Sequence, residues 1–221
     1  MEEKQSPTRL GELLSTQTSL VKNSKGTLAN RPTWITEILT RHGNFTQLCN
    51  KFSYANKNRF VSNVMDCFRR DSPSLVRIDV TYGRGSSANW LYNILQGMFV
   101  FLGVTEDKFS KEQVYNLACN IATNYKTLKV VEMLLFVSRF EAGRYGRFYG
   151  GDSYALIVTE AINTFMSERT RYYDEIERER IARKEKEESK NAISFEEYKR
   201  MTEATGGKVS EELNKIFNKK D

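Results

Sequence analysis

Between Thr127 and Glu141 the chain carries Val130, Val131, Met133, Leu134, Leu135, Phe136 and Val137. Wound as a helix, these residues place apolar side chains on nearly every face. A helix of that kind cannot lie on a surface, so it is the expected central element of the core. The one β-like stretch, Leu75–Val80, alternates imperfectly and meets no partner strand elsewhere in the sequence. A lone strand cannot satisfy its own backbone, so a short helix after Ser72-Pro73-Ser74 is favoured there. The expected fold class is all-α, a compact multi-helix domain.

The other helices follow from capping and spacing. One starts after Pro32, carries Trp34, Ile35, Ile38 and Leu39 on one stripe, and ends at Gly43. A second covers about 45–52. A third, about 56–70, holds Phe60, Val61, Val64, Met65 and Phe68 and ends in Arg69-Arg70. After the loop Gly83–Ser87 comes a helix over 88–102, with Trp90, Leu91, Ile94, Leu95, Met98 and Phe99. Ser110 and Gln113 match a capping box at the head of the next. Asp152 or Ser153 caps a long helix whose seam runs through Val158, Ile162, Phe165, Arg169, Tyr172 and Ile176. Beyond 176 the seam dissolves into charge, with Asp174–Arg178 and Glu179–Arg183 four residues apart. A short amphipathic helix follows Ser194, and Gly206-Gly207 breaks it. Residues 1–30, rich in Ser, Thr, Asn and Lys, read as a disordered basic arm. The expected organisation is arm 1–30, helical core domain 31–170 and charged helical tail 171–221.

Gly143-Arg144-Tyr145-Gly146-Arg147-Phe148-Tyr149-Gly150-Gly151 joins the central helix to the long one. Glycine permits close backbone approach, arginine supplies planar donors, and aromatics supply stacking faces. Its glycine spacing matches neither a P-loop nor a dinucleotide fingerprint, so no cofactor is expected. Two readings remain. In one, Arg144 and Arg147 meet phosphates while Tyr145, Phe148 or Tyr149 stacks on bases. In the other, the loop is a helix corner whose aromatics fold onto the core and whose arginines pair with acids such as Glu141 or Asp152.

The net charge of +6 is unevenly placed. Residues 1–70 hold 11 Lys/Arg against 5 Asp/Glu, while the other 151 hold 23 of each. Excess positive charge confined to one third suits an anionic partner. Cys49, Cys67 and Cys119 form no CxxC pair, and His42 is the only histidine. A zinc site and a histidine-dependent triad are therefore not expected. Glu132, the one acid in a strongly apolar setting, reads as a buried ion pair with Arg139 or Lys129, or as an acid exposed on a narrow face, rather than as a catalytic group. The protein is expected to be no enzyme. The acidic start and the short apolar runs predict no signal peptide and no membrane span, hence a cytoplasmic protein.

The run Leu128-Lys129-Val130-Val131-Glu132, with Phe136, Arg139-Phe140, Gly143-Arg144-Tyr145-Gly146-Arg147-Phe148-Tyr149-Gly150 and the later Phe165-Met166-Ser167-Glu168-Arg169, resembles a family from phages and mobile elements of gut Bacteroidetes. The similarity extends over about 72–170 and implies a helical protein. In size and layout the chain is also similar to phage helicase loaders. These resemblances imply a non-catalytic accessory protein in DNA transactions, plausibly replication, that binds nucleic acid or a replication partner. The alternative is an adaptor or inhibitor of a host protein with no nucleic-acid contact. The contact residues expected are Arg144, Tyr145, Arg147, Phe148 and Tyr149.

Overall fold

Every residue from Val130 to Val137 is buried, in a helix spanning Val130–Glu141 around which the other elements assemble. The computed structural model describes residues 32–146, 153–191 and 195–204, and among these there is no strand. The chain is all-α. In order come α1 (Thr33–His42), α2 (Phe45–Lys51), a 3-10 helix (Tyr54–Arg59), α3 (Val64–Arg69), α4 (Leu75–Tyr82) and α5 (Ser86–Phe101). They are followed by α6 (Lys111–Asn124), α7 (Val130–Glu141), α8 (Tyr154–Asn191) and α9 (Phe195–Ala204). No helix among the described residues is long and apolar enough to cross a membrane.

Local chemistry sets most boundaries. Ser110 and Gln113 form the expected capping box at α6, and Asn44 with Gln47 forms another at α2. Residues 75–82 are helical, as favoured, and what strand-like pairing exists is one antiparallel bridge between Ser74 and Lys129. There the Leu75 N–H donates to the Leu128 carbonyl and the Val130 N–H to the Pro73 carbonyl, each at 3.0 Å. The first N–H groups of α4 and α7 have no intrahelical acceptor, and each helix finds one in the segment that precedes the other. This use of Leu128 explains why α7 begins at Val130 and not at Thr127. Asp79 of α4 caps α5 in a similar way, accepting from the backbone N–H and the hydroxyl of Ser87, both at 2.8 Å.

The continuous helix expected over 56–70 is two elements. Phe60 turns inward after the 3-10 helix to pack against Phe52, with ring centroids 5.0 Å apart. Asn63 then restarts the helix, its side chain accepting from the Asp66 N–H. Tertiary packing of one aromatic outweighs local helical spacing here.

α5 carries a second long core stripe. Its Trp90 is 1% exposed and donates its indole N–H to the Phe52 carbonyl at 2.9 Å. One position on α5 must be small. A Cβ on Gly97 would lie 2.5 Å from the Tyr54 ring, so glycine is what lets the 3-10 helix seat against α5.

α8 runs for 38 residues, about 57 Å at 1.5 Å per residue. Val158, Ile162 and Phe165 are fully buried, and Arg169, Tyr172 and Ile176 continue the seam half-buried. The helix is unbroken through residue 170, and Glu179 still pairs with Arg69 of α3. From Glu177 to Ser189 every side chain is exposed. The acid–base pairs observed there are Glu177–Arg180 and Lys184–Glu188, in place of the two anticipated.

Candidate nucleic-acid interface

Two carboxylates lock α8 to α7. Glu132, wholly buried on α7, accepts from the Arg169 guanidinium at 3.0 Å, from the Lys129 backbone N–H at 2.9 Å and from the Tyr173 hydroxyl. Its partner is therefore Arg169, not Arg139 or Lys129 as the sequence suggested. Lys129 does cap this end of α7 through its N–H, while its ammonium reaches the Phe68 carbonyl at 3.3 Å. Arg139 turns instead to Glu168 at 2.6 Å and to the Tyr172 hydroxyl at 2.9 Å. A buried carboxylate is tolerable only when its lone pairs are taken up this fully. Between the two acids lies an aromatic stack. Phe68 of α3 sits 4.7 Å from Tyr172 and 5.7 Å from Tyr173, and Phe136 lies 5.6 Å from Tyr145.

The arginine loop begins on this scaffold. Gly143 and Gly146 both have positive φ, at 75° and 103°, a region in which glycine carries no steric penalty. Arg144 donates from Nε to Glu168 at 3.0 Å, yet half of its side chain stays in solvent. The Tyr145 hydroxyl also reaches Glu168, at 3.3 Å. Burial, and then the Glu168 charge, push that phenol up to about 12. Arg144 and Tyr145 thus have structural anchors. Arg147, Phe148 and Tyr149 lie outside the described residues. Glu141, offered by the sequence as a partner for these arginines, is taken by others. It accepts from the Tyr54 hydroxyl at 2.7 Å and from the buried Lys57 ammonium. Both donors belong to the 3-10 helix, which is thereby fastened beside the base of the loop.

That fastening brings the basic segment of the sequence to the loop. Residues 32–70 hold Arg41, Lys51, Lys57, Arg59, Arg69 and Arg70 against Glu37 and Asp66. Arg41, Lys57 and Arg69 are paired with Asp71, Glu141 and Glu179. Arg59 and Arg70 are exposed, and neither makes an ion pair among the described residues. The Arg70 guanidinium sits 5.6 Å from the centre of the half-buried Phe60 ring, and Arg59 precedes Phe60 in the chain. The Arg70 and Arg139 charges oppose the burial that pushes the Cys67 thiol up to about 11. The 3-10 helix that carries Arg59 is thus held at Glu141, three residues before Arg144, and Arg139 and Arg144 share Glu168. The sequence singled out the loop and the basic third separately, but held no sign that Glu141 and Glu168 join them.

His42 lies buried at the rim of this region, its ring 5.3 Å from Phe52. The Lys51 ammonium donates to Nδ1 at 3.2 Å, which places the neutral ring's proton on Nε2. Burial first, then the Lys51 and Arg41 charges, lower its pKa to about 4. The unfolded chain, with a histidine near pH 6.5, takes up that proton earlier as the pH falls. Stability contributed by neutral His42 is therefore complete above about pH 6.5 and drains away towards pH 4, by up to about 3 kcal/mol. Thermal melts across this window should show the fall for the wild type and lose that component in His42→Phe. Equal falls in the two proteins would contradict the assignment.

An all-α bundle whose basic end is organised by buried acids defines the structural class. Within it, residues 108–206 are similar to a family of unknown function, DUF6633. No curated protein and no solved structure matches the chain. The matched segment holds Glu132, Arg139, Arg144, Tyr145, Glu168, Arg169 and Tyr173, and so the whole α7–α8 lock. The 3-10 helix and α3, with Arg59 and Arg70, lie outside it.

Proposed function

We propose that this protein is a non-catalytic accessory factor in DNA transactions, plausibly replication, of a phage or mobile element in a bacterial cytoplasm. It contacts nucleic acid at the end of the bundle where the 3-10 helix, α3 and the arginine loop meet. The observation that carries this reading is the pairing of Lys57 and Tyr54 with Glu141, which holds the 3-10 helix and its exposed Arg59 beside the loop that carries half-exposed Arg144. Guanidinium groups neutralise phosphates and release counterions on binding. Arg147, Phe148 and Tyr149, which follow in the sequence, are further contact residues in this reading. The resemblance to phage and mobile-element proteins supports the biological setting.

Titration of labelled DNA at several salt concentrations tests it. Three phosphate contacts predict a log–log slope of about −2 on a single strand. Absent or salt-insensitive binding would favour the rival reading, a protein-interaction adaptor or inhibitor that uses the same loop and the charged helical tail without touching nucleic acid. Such an adaptor co-purifies with its partner and loses it when residues 170–221 are removed.

A further inference from the structure

Phe101 ends α5 with 62% of its surface in solvent, and Val100 beside it is 70% exposed. The other phenylalanines whose exposure is described are buried or half-buried. Four residues earlier on the same helix, Gly97 admits the Tyr54 ring, so Phe101 stands one turn beyond the seat of the 3-10 helix. The Lys57 ammonium lies 5.4 Å from the Phe101 ring centre and 4.1 Å from that of Tyr54, and it also pairs with Glu141 at the foot of the loop. Phe101 is thus beside the proposed interface and flanked by a cation whose charge Glu141 already balances. An exposed phenyl face costs hydration free energy when it has nothing to cover it. Exposed Arg59, two residues beyond Lys57, and half-exposed Arg144, three residues beyond Glu141, make the surroundings favourable to a polyanion and unfavourable to a basic partner.

We infer that Phe101 is a stacking platform for an unpaired base, and that the nucleic acid bound at this end is single-stranded. A duplex keeps its base faces stacked on one another, whereas a single strand offers them to an aromatic ring while its phosphates follow the arginines. The inference rests on the reading of this end as a nucleic-acid interface and adds the strandedness of the ligand.

The test uses the full chain, labelled oligothymidylate and a duplex of equal length, with Phe101→Ala and Phe101→Trp. Phe101→Ala should weaken single-strand binding by about 10-fold or more, the usual effect of removing one stacked aromatic, with an unchanged salt slope and unchanged duplex binding. Phe101→Trp should retain or tighten single-strand binding. Because the side chain is mostly solvated, both variants should melt with the wild type, and the melt is recorded to confirm it. Single-strand affinity unmoved by Phe101→Ala, or duplex bound more tightly than the single strand, overturns the platform while leaving the interface standing. No salt-dependent binding of either DNA by the wild type removes the interface itself.

Discussion

Replacing Arg169 with alanine should lower the stability of the fold by about 3 kcal/mol, because it strips the counter-charge from a carboxylate with no access to water. Glu132 is 0% exposed and sits on the most buried helix among the described residues. The Tyr173 hydroxyl and the Lys129 N–H would remain as donors, which places the loss at the lower end of the range for broken buried pairs. For a chain of this size that corresponds to a melting temperature lower by about 10 °C. The double variant Glu132→Leu/Arg169→Met should recover much of it, since a buried pair exchanged for apolar groups of similar volume is often neutral. Chemical denaturation of the two variants and the wild type checks this. A single variant that unfolds with the wild type would show that the carboxylate is solvated and α8 is not locked there.

The same lock gives the arginine loop its shape. Glu168 receives Arg139, Arg144 and Tyr145, and Phe136 receives the Tyr145 ring. Residues that a motif comparison would mark as one signature thus divide by physical role. Glu132, Arg139, Glu168 and Arg169 position helices, whereas Arg144 both anchors the loop and keeps half its side chain in solvent.

How much of this was legible in the sequence differs element by element. The core helix was readable because seven large apolar residues within eight positions admit no exposed face. The seam of α8 as far as Ile176 and the box at Ser110 were readable because helical spacing and capping are local. The break at Phe60 was not, since it depends on Phe52 and Arg70 arriving beside that ring. Nor were the partners of the acids. Lys57 and Glu141 are 84 residues apart and Glu132 and Arg169 are 37 apart, and charge spacing at such separations carries no geometric information. The candidate interface was half legible, as a loop and as a basic third. Their meeting is a property of the fold.

Reversing two charges, in Arg59→Glu/Arg70→Glu, tests that meeting most directly. Both side chains are exposed and make no ion pair among the described residues, so the variant should fold with little change in melting temperature. Loss of two phosphate contacts should weaken single-strand binding by about 30-fold at 0.1 M salt and flatten the log–log salt slope by about 1.4. Reversal of Arg77, which is exposed, lies over Trp34 and is not among the proposed contacts, should leave both nearly unchanged and serves as the control. The measurement is the salt dependence of oligothymidylate affinity for the three proteins side by side. A flattened slope in Arg59→Glu/Arg70→Glu alone is the result predicted. An unchanged slope there, or an equal loss in Arg77→Glu, would contradict the placement of the interface at this end of the bundle.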